Sequence, residues 1–256
     1  MTELVFIEGV SGVGKSTMVR GLAEDLTALG YRAKSYVEFD YTNPIDFYGT
    51  AYLTEDEHRA LCRECPSARK HTIRAGDIRL VRYYNEDTPL FEEPLLSWLA
   101  EREFCYNPTR LVPLAAYTAA YQKVWENFAA SIDESDDFLL FDGSLLHHPL
   151  NDMMRNYHIT GGQAIPHVRA LLRALGQRER HIFYLQSREI GAQLKRARQS
   201  RGQAAPTPEK IRFWESRFQN DRTVLENIGE PYHSCNISRE HWDTVRSQIK
   251  HILTKE

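Results

Sequence analysis

No stretch of this sequence is apolar over the length that a bilayer-spanning helix needs. The first strand signal begins almost at Met1, which leaves no room for a signal peptide. The expected location is therefore cytoplasmic, without a membrane partner. Cysteine is scarce: four in 256 residues do not make a disulfide scaffold and suit a reducing compartment. Net charge is also small, at −3, so no basic field is available for nucleic acid. Internal repeats and low-complexity segments are missing. So is a second Cys-x-x-Cys. Cys62 and Cys65, with His58 and His71 nearby, offer zinc-type ligands, but without a matching pair they read as free thiols. What remains is a chain of 42% hydrophobic and 26% charged residues, which suits one large α/β domain spanning 1–256.

One run organises that domain. Val5-Phe6-Ile7-Glu8-Gly9-Val10-Ser11-Gly12-Val13-Gly14-Lys15-Ser16-Thr17 fits the phosphate-loop pattern G-x-x-x-x-G-K-[ST]. An apolar strand precedes it. A helix over 16–29 follows, with Met18, Leu22, Leu26 and Leu29 on one face and Gly30 as the stop. Glycine lets backbone N–H groups approach phosphate oxygens, and a helix start favours anions. Gly9, Ser11, Gly12, Val13, Gly14, Lys15, Ser16 and Thr17 are thus the expected nucleotide contacts. Lys15 is expected to reach the outer phosphates and Ser16 to hold a magnesium ion.

Two further strands end in acids. Arg32 to Glu38 leads into Glu38-Phe39-Asp40, and Asp137 to Asp142 is an apolar strand closing on Asp142. In an open α/β sheet, ligands bind beyond the carboxyl ends of the strands. Glu38 and Asp40 are candidates for receiving a hydroxyl proton or orienting a substrate. Asp142 has the pattern of the second magnesium acid. Which of Glu38, Asp40 and Asp142 acts as base is left open. His147 and His148 are candidates by position alone.

Residues 41–110 read as an insertion on the acceptor side. It holds a loop to Thr50, a helix opened by the Thr54-to-Glu57 capping box, a hairpin over 72–84 and a helix from Pro89 to Glu103. A long amphipathic helix over 112–131 carries Tyr117 and Tyr121. Their stripe reads as core, although the aromatic region 104–121 is also the candidate wall of an acceptor pocket. Asn151-Asp152 reads as a helix cap and Gly161-Gly162 as a break. Arg188, Arg196, Arg198 and Arg201 fall in a basic segment, 187–208, between a buried strand and a glycine-containing linker. That layout suits a hinged helical lid, with Arg188, Arg196 and Arg198 neutralising charge on a transferred phosphoryl group. Arg201 is placed on the nucleotide. Ser238 is the expected cap of the last helix.

The order of these elements, the Glu8-Gly9 start of the loop and the arginine segment resemble the thymidylate kinase and deoxynucleoside kinase branch of the P-loop kinases. The resemblance implies a three-layer α/β/α sandwich around a five-stranded parallel sheet, with ATP and Mg2+ as cofactors. It implies γ-phosphoryl transfer to a small-molecule acceptor such as a nucleoside or nucleotide, with Glu38 as the acid after strand 2. Two departures fall on the acceptor side. Relatives carry Arg after the acid of strand 3, where this chain has Gly143-Ser144, and 41–110 is longer than a simple nucleotide kinase needs. Antibiotic-type phosphotransfer on the same fold, and a regulatory NTPase binding a protein partner, are the alternatives. A homodimer is compatible with the sequence.

Overall fold

Between Glu3 and Glu8 every residue after the first is buried, and this strand, β1, becomes the middle of the main sheet. The computed structural model describes residues 1–38, 40, 42–85, 88–237 and 242–255. After β1 come α1 (Lys15–Ala28) and β2 (Ala33–Tyr36). The insertion holds β3 (Thr50–Leu53), α2 (Glu55–Glu64), β4 (Thr72–Ala75) and β5 (Ile78–Arg82). Short β6 (Tyr84–Asn85), β7 (Thr88–Pro89) and α3 (Leu95–Ala100) complete it. The chain continues through α4 (Leu114–Ser131), β8 (Phe138–Asp142), α5 (His147–Asn156) and α6 (Gly161–Ala174). It closes with β9 (Arg180–Gln186), α7 (Ile190–Ser200), α8 (Pro208–Asn227), β10 (His233–Asn236) and α9 (Trp242–Thr254). The expected cap at Ser238 lies outside the described residues. None of the described helices is long and apolar enough to cross a membrane.

The main sheet has five parallel strands in the order β10-β9-β1-β8-β2. Its three central strands are apolar on both faces, as a parallel sheet covered by helices requires. Side-chain alternation sorts them into two cores. Leu4, Phe6, Leu139, Phe141, Ile182 and Tyr184 face the α4 and α6 layer. Val5, Ile7, Phe138, Leu140, Phe183 and Leu185 face α1 and α9. This is the expected three-layer sandwich. Register sets Ile7 opposite Asp142 and Glu8 opposite Tyr184, so the carboxyl ends of β1, β8 and β9 share one edge.

The insertion uses the same alternation. Its antiparallel sheet, ordered β3-β5-β4, sends Leu80 and Ala75 into the core beneath α4. The opposite face sends Ala51, Leu53 and Val81 into a small core with Leu61 and Leu99. The hairpin and the Thr54–Glu57 capping box are as expected. Other expectations fail. Strand β3 starts at Thr50, the expected end of a loop, and takes in Ala51 to Leu53, which were assigned to no element. The helix expected from Pro89 to Glu103 is confined to Leu95–Ala100, because Pro89 pairs in β7 and Pro94 stands at the helix start, where proline is tolerated. Asn151 and Asp152 do not cap a helix but lie inside α5. Gly161-Gly162 is no break: Thr160 and Gln163 form a capping box that starts α6 there. Phe104, Tyr117 and Tyr121 pack with Phe47 and His167 in the interior, whereas Tyr106 of the same region is exposed and donates to the His148 carbonyl.

One buried acid ties stability to pH. Glu103 bridges to Ala51 of β3, and its carboxyl group accepts the hydroxyl of Tyr83. Burial pushes its pKa up to about 8, against backbone hydrogen bonds from Thr50 and Gly49 that pull it down. The folded state thus holds a proton that the unfolded chain releases at a lower pH. The stabilising contribution is complete at acid pH and is lost as pH rises through about 8. Thermal unfolding midpoints should fall between about pH 5 and pH 8, and Glu103→Gln should flatten that fall. An unaltered pH profile in the variant would count against the assignment.

Candidate functional site

Beyond β1 the chain turns through Gly9–Gly14 and enters α1 at Lys15. Gly12 has a φ of 82°, and a Cβ there would lie 3.0 Å from the Cβ of Ala197 on α7. Glycine at this place serves two ends: a left-handed backbone and the close seat of α7. Gln193 of α7 also donates to the Gly12 carbonyl at 3.0 Å. The basic helix therefore rests directly on the loop.

Ser16 donates its hydroxyl to the Asp142 carboxylate at 2.5 Å, joining the start of α1 to the end of β8. The backbone N–H of Glu38 donates to the same carboxylate oxygen at 3.4 Å. Asp142 is buried. A hydroxyl and a carboxylate in contact offer the hard oxygen donors that Mg2+ takes. The donor set fits a nucleotide carried with magnesium: loop N–H groups, Lys15, and two oxygen ligands at the sheet edge.

A cleft of about 370 Å³ opens beside them, lined by Ser11, Gly12, Gly14, Lys15, Ser16, Thr17, Arg20, Val37, Glu38, His147 and Arg201. Of the residues expected at the site, Gly9 and Val13 support the loop from behind, and Val13 is fully buried. Asp40 does not line the cleft. Its carboxylate accepts from the backbone and hydroxyl of Thr42, at 2.9 and 2.6 Å. Of the four arginines expected in the lid, Arg201 lines the cleft. Arg196 bonds Gln193 on its own helix, and Arg198 donates to the Ala204 carbonyl. Arg188 is exposed ahead of α7. Thiol chemistry is not gathered into a metal site: Cys62 meets His58, while Cys65 meets Ser67 and His71 packs on Phe91.

Four residues behind the cleft, Glu8, Tyr184, Arg217 and Asp221, were given no role from the sequence. Glu8, fully buried, accepts from the backbone N–H groups of Leu145 and His147 at 2.8 and 2.9 Å. It caps α5 from the end of β1, satisfying N–H groups that a helix start leaves free. Burial raises its pKa to about 7, opposed by those same N–H groups and by Lys15. Arg217 of α8 grips the other side of the segment, donating to the carbonyls of Leu146 and His147 at 2.8 and 3.2 Å. Asp221 pairs with Arg217 at 2.7 Å, and Tyr184 of β9 donates to Asp221 at 2.9 Å. Arg217 and Asp221 are completely buried. The signal was present, since both lie on the apolar stripe of α8 marked by Trp214, Phe218 and Leu225.

The first turns of the same helix gather cations. The Arg155 guanidinium lies 4.5 Å from the centre of the Phe213 ring. Lys210 is held below its ordinary pKa by burial, then by Arg198 and Arg155. Lys210 and Arg155 form no ion pair with a carboxylate among the described residues.

No family model matches the chain, and no curated protein matches it in sequence. Solved structures do. The YorR protein of Bacillus subtilis, in complex with phosphorylated GDP, is 12% identical, with 98% of this chain and 95% of that one covered and a TM-score of 0.47. Thymidylate kinase from Candida albicans is 14% identical, with 99% of this chain and 92% of that one covered and a TM-score of 0.51. At such identity the second likeness speaks for architecture: the chain has a P-loop nucleotide kinase-like fold.

Proposed function

We propose that this chain is a phosphotransferase that moves the γ-phosphoryl group of ATP to a small-molecule acceptor of the nucleoside or nucleotide class. The observation that carries this reading is the Ser16–Asp142 contact beside Lys15 at the mouth of a glycine loop. Bound with magnesium, ATP supplies the transferable phosphoryl group. The loop N–H groups and Lys15 hold the phosphates, and Ser16 and Asp142 hold the ion. Arg201 places a cation in the cleft from the lid side, and Glu38 presents a carboxylate at its rim. With phosphoryl transfer, positioning and fixed charge do most of the catalytic work.

Arg155, Arg198 and Lys210 favour an acceptor that itself carries an anionic group. Three cations held close together raise one another's energy, and a phosphate or carboxylate would relieve it. The test is ADP formation with Mg·ATP and, singly, nucleosides, nucleoside monophosphates, sugars and aminoglycosides. Turnover should require an acceptor and be strongest with a phosphorylated one. Arg155→Gln should raise the KM for that acceptor about tenfold, near the worth of one charge-assisted hydrogen bond, with the KM for ATP unchanged. Preference for neutral acceptors, or an unaltered KM, would remove the anionic part. Absence of acceptor-dependent turnover across the panel would remove the kinase reading.

A further inference from the structure

His147 stands in the cleft in a state that its surroundings determine. Its Nδ1 lies 3.0 Å from the Gly9 carbonyl oxygen, which can only accept, so Nδ1 carries a hydrogen. The ring stacks on Trp214 with 2° between planes and 5.4 Å between centres. Glu8 holds its backbone N–H and Arg217 its backbone carbonyl, so both ends of the residue are fixed. Burial, then Lys15, His148 and Arg217, push its pKa well below the ordinary value, so the ring is neutral. A neutral ring with hydrogen on Nδ1 has a lone pair on Nε2. That nitrogen has no hydrogen-bond partner among the described residues. The residue lines the cleft near Lys15: a Cβ on Gly143 would lie 2.7 Å from the His147 Cβ and 3.1 Å from the Lys15 Cε.

An acceptor atom is out of place in a pocket built for anions. Backbone N–H groups, Lys15, Arg20 and Arg201 all donate to phosphate oxygens, whereas a lone pair would repel them. Nε2 therefore calls for a group that brings a hydrogen. Asp142 is already engaged by Ser16, and Glu38 is exposed at the rim. Building on the phosphotransfer reading, we infer that the Nε2 of His147 accepts a hydrogen bond from the attacking hydroxyl of the acceptor. In that step the acceptor oxygen forms a bond to the γ-phosphorus. The bond from that phosphorus to the β–γ bridging oxygen breaks, and its electron pair leaves with ADP. The hydroxyl proton passes to water as the new bond forms, while Nε2 holds the hydroxyl by its hydrogen bond and the ring stays neutral. His147 is on this view a catalytic residue, and Arg217 and Glu8 are positioning residues that act through it.

Two measurements test the assignment. In protein labelled with 15N-histidine, the His147 signal, identified by its loss in His147→Asn, should show a protonated Nδ1 and an unprotonated Nε2. A protonated Nε2 would overturn the inference before any substrate is added. In ADP-release assays over the same acceptor panel, His147→Asn keeps a donor for the Gly9 carbonyl but has nothing at Nε2. Its kcat should fall about 100-fold with the KM for Mg·ATP unchanged. His147→Gln, whose amide reaches the Nε2 position, should keep more of the rate. A wild-type kcat in a folded His147→Asn overturns the inference and leaves the kinase reading standing. Wild-type protein inert toward every acceptor overturns both. If both variants fail to fold, the nitrogen signals of the wild type decide.

Discussion

Lys15→Ala should reduce kcat/KM by about 1,000-fold, or about 4 kcal/mol of transition-state stabilisation at 1.4 kcal/mol per tenfold. The size follows from how the side chain is held. Lys15 is 8% exposed, and its aliphatic part passes over Gly143 with no room for a Cβ between them. The ammonium is thus delivered to the cleft by a preformed path and needs no reorganisation when a phosphate arrives. Lys15→Arg should not rescue activity, because a planar guanidinium is not equivalent to a compact ammonium at a fixed distance. Steady-state kinetics with the best acceptor of the panel measures the loss, and a thermal melt shows whether the fold survives. A loss below tenfold in a folded variant would mean that the phosphoryl group is held elsewhere.

The largest effect on stability belongs to a residue outside the cleft. Asp221→Ala leaves the Arg217 guanidinium buried without its counter-ion and takes the acceptor from the Tyr184 hydroxyl. Breaking one partner of a buried pair costs about 3–5 kcal/mol. For a chain of this size that corresponds to a drop in Tm of roughly 10 °C. The double change Arg217→Met with Asp221→Leu should recover much of the melting temperature, since an apolar replacement carries no desolvation cost. It should not recover activity, because Arg217→Met takes the donor from the carbonyls of Leu146 and His147. If the double variant matched the wild type in kcat, the buried pair would have no part in arranging the cleft.

What was legible in the sequence was local. The glycine loop, the Asp142 strand end and the Thr54 capping box each sit within a few residues and carry their own geometric requirement. The apolar runs from Leu4 to Ile7 and from Phe138 to Phe141 marked buried strands before any strand order was known. Contacts across the chain were hidden. Nothing near Leu145 foretells that α5 is capped by Glu8, which lies 139 residues from His147. Arg155, Arg198 and Lys210 come from three helices, and only Arg198 was given a role from the sequence, as a lid arginine. The four lid arginines were read together as one chemical unit, but a helix presents side chains in all directions, and only Arg201 lines the cleft. Asp40 was chosen for its place at a strand end, whereas an Asp two residues before a Thr more often bonds its own turn.

The antiparallel sheet of the insertion has a consequence for how the molecule can change. One of its faces belongs to its own small core, and the other, through Ala75 and Leu80, belongs to the core beneath the main sheet. Such a segment is not a detachable cassette. Excising it would strip cover from α4, and grafting it elsewhere would leave half its apolar surface wet. Both cores should melt in one cooperative transition rather than two. On the phosphotransfer reading, a change of acceptor is expected from point substitutions, such as those at Arg155 and Lys210, and not from exchange of the whole segment.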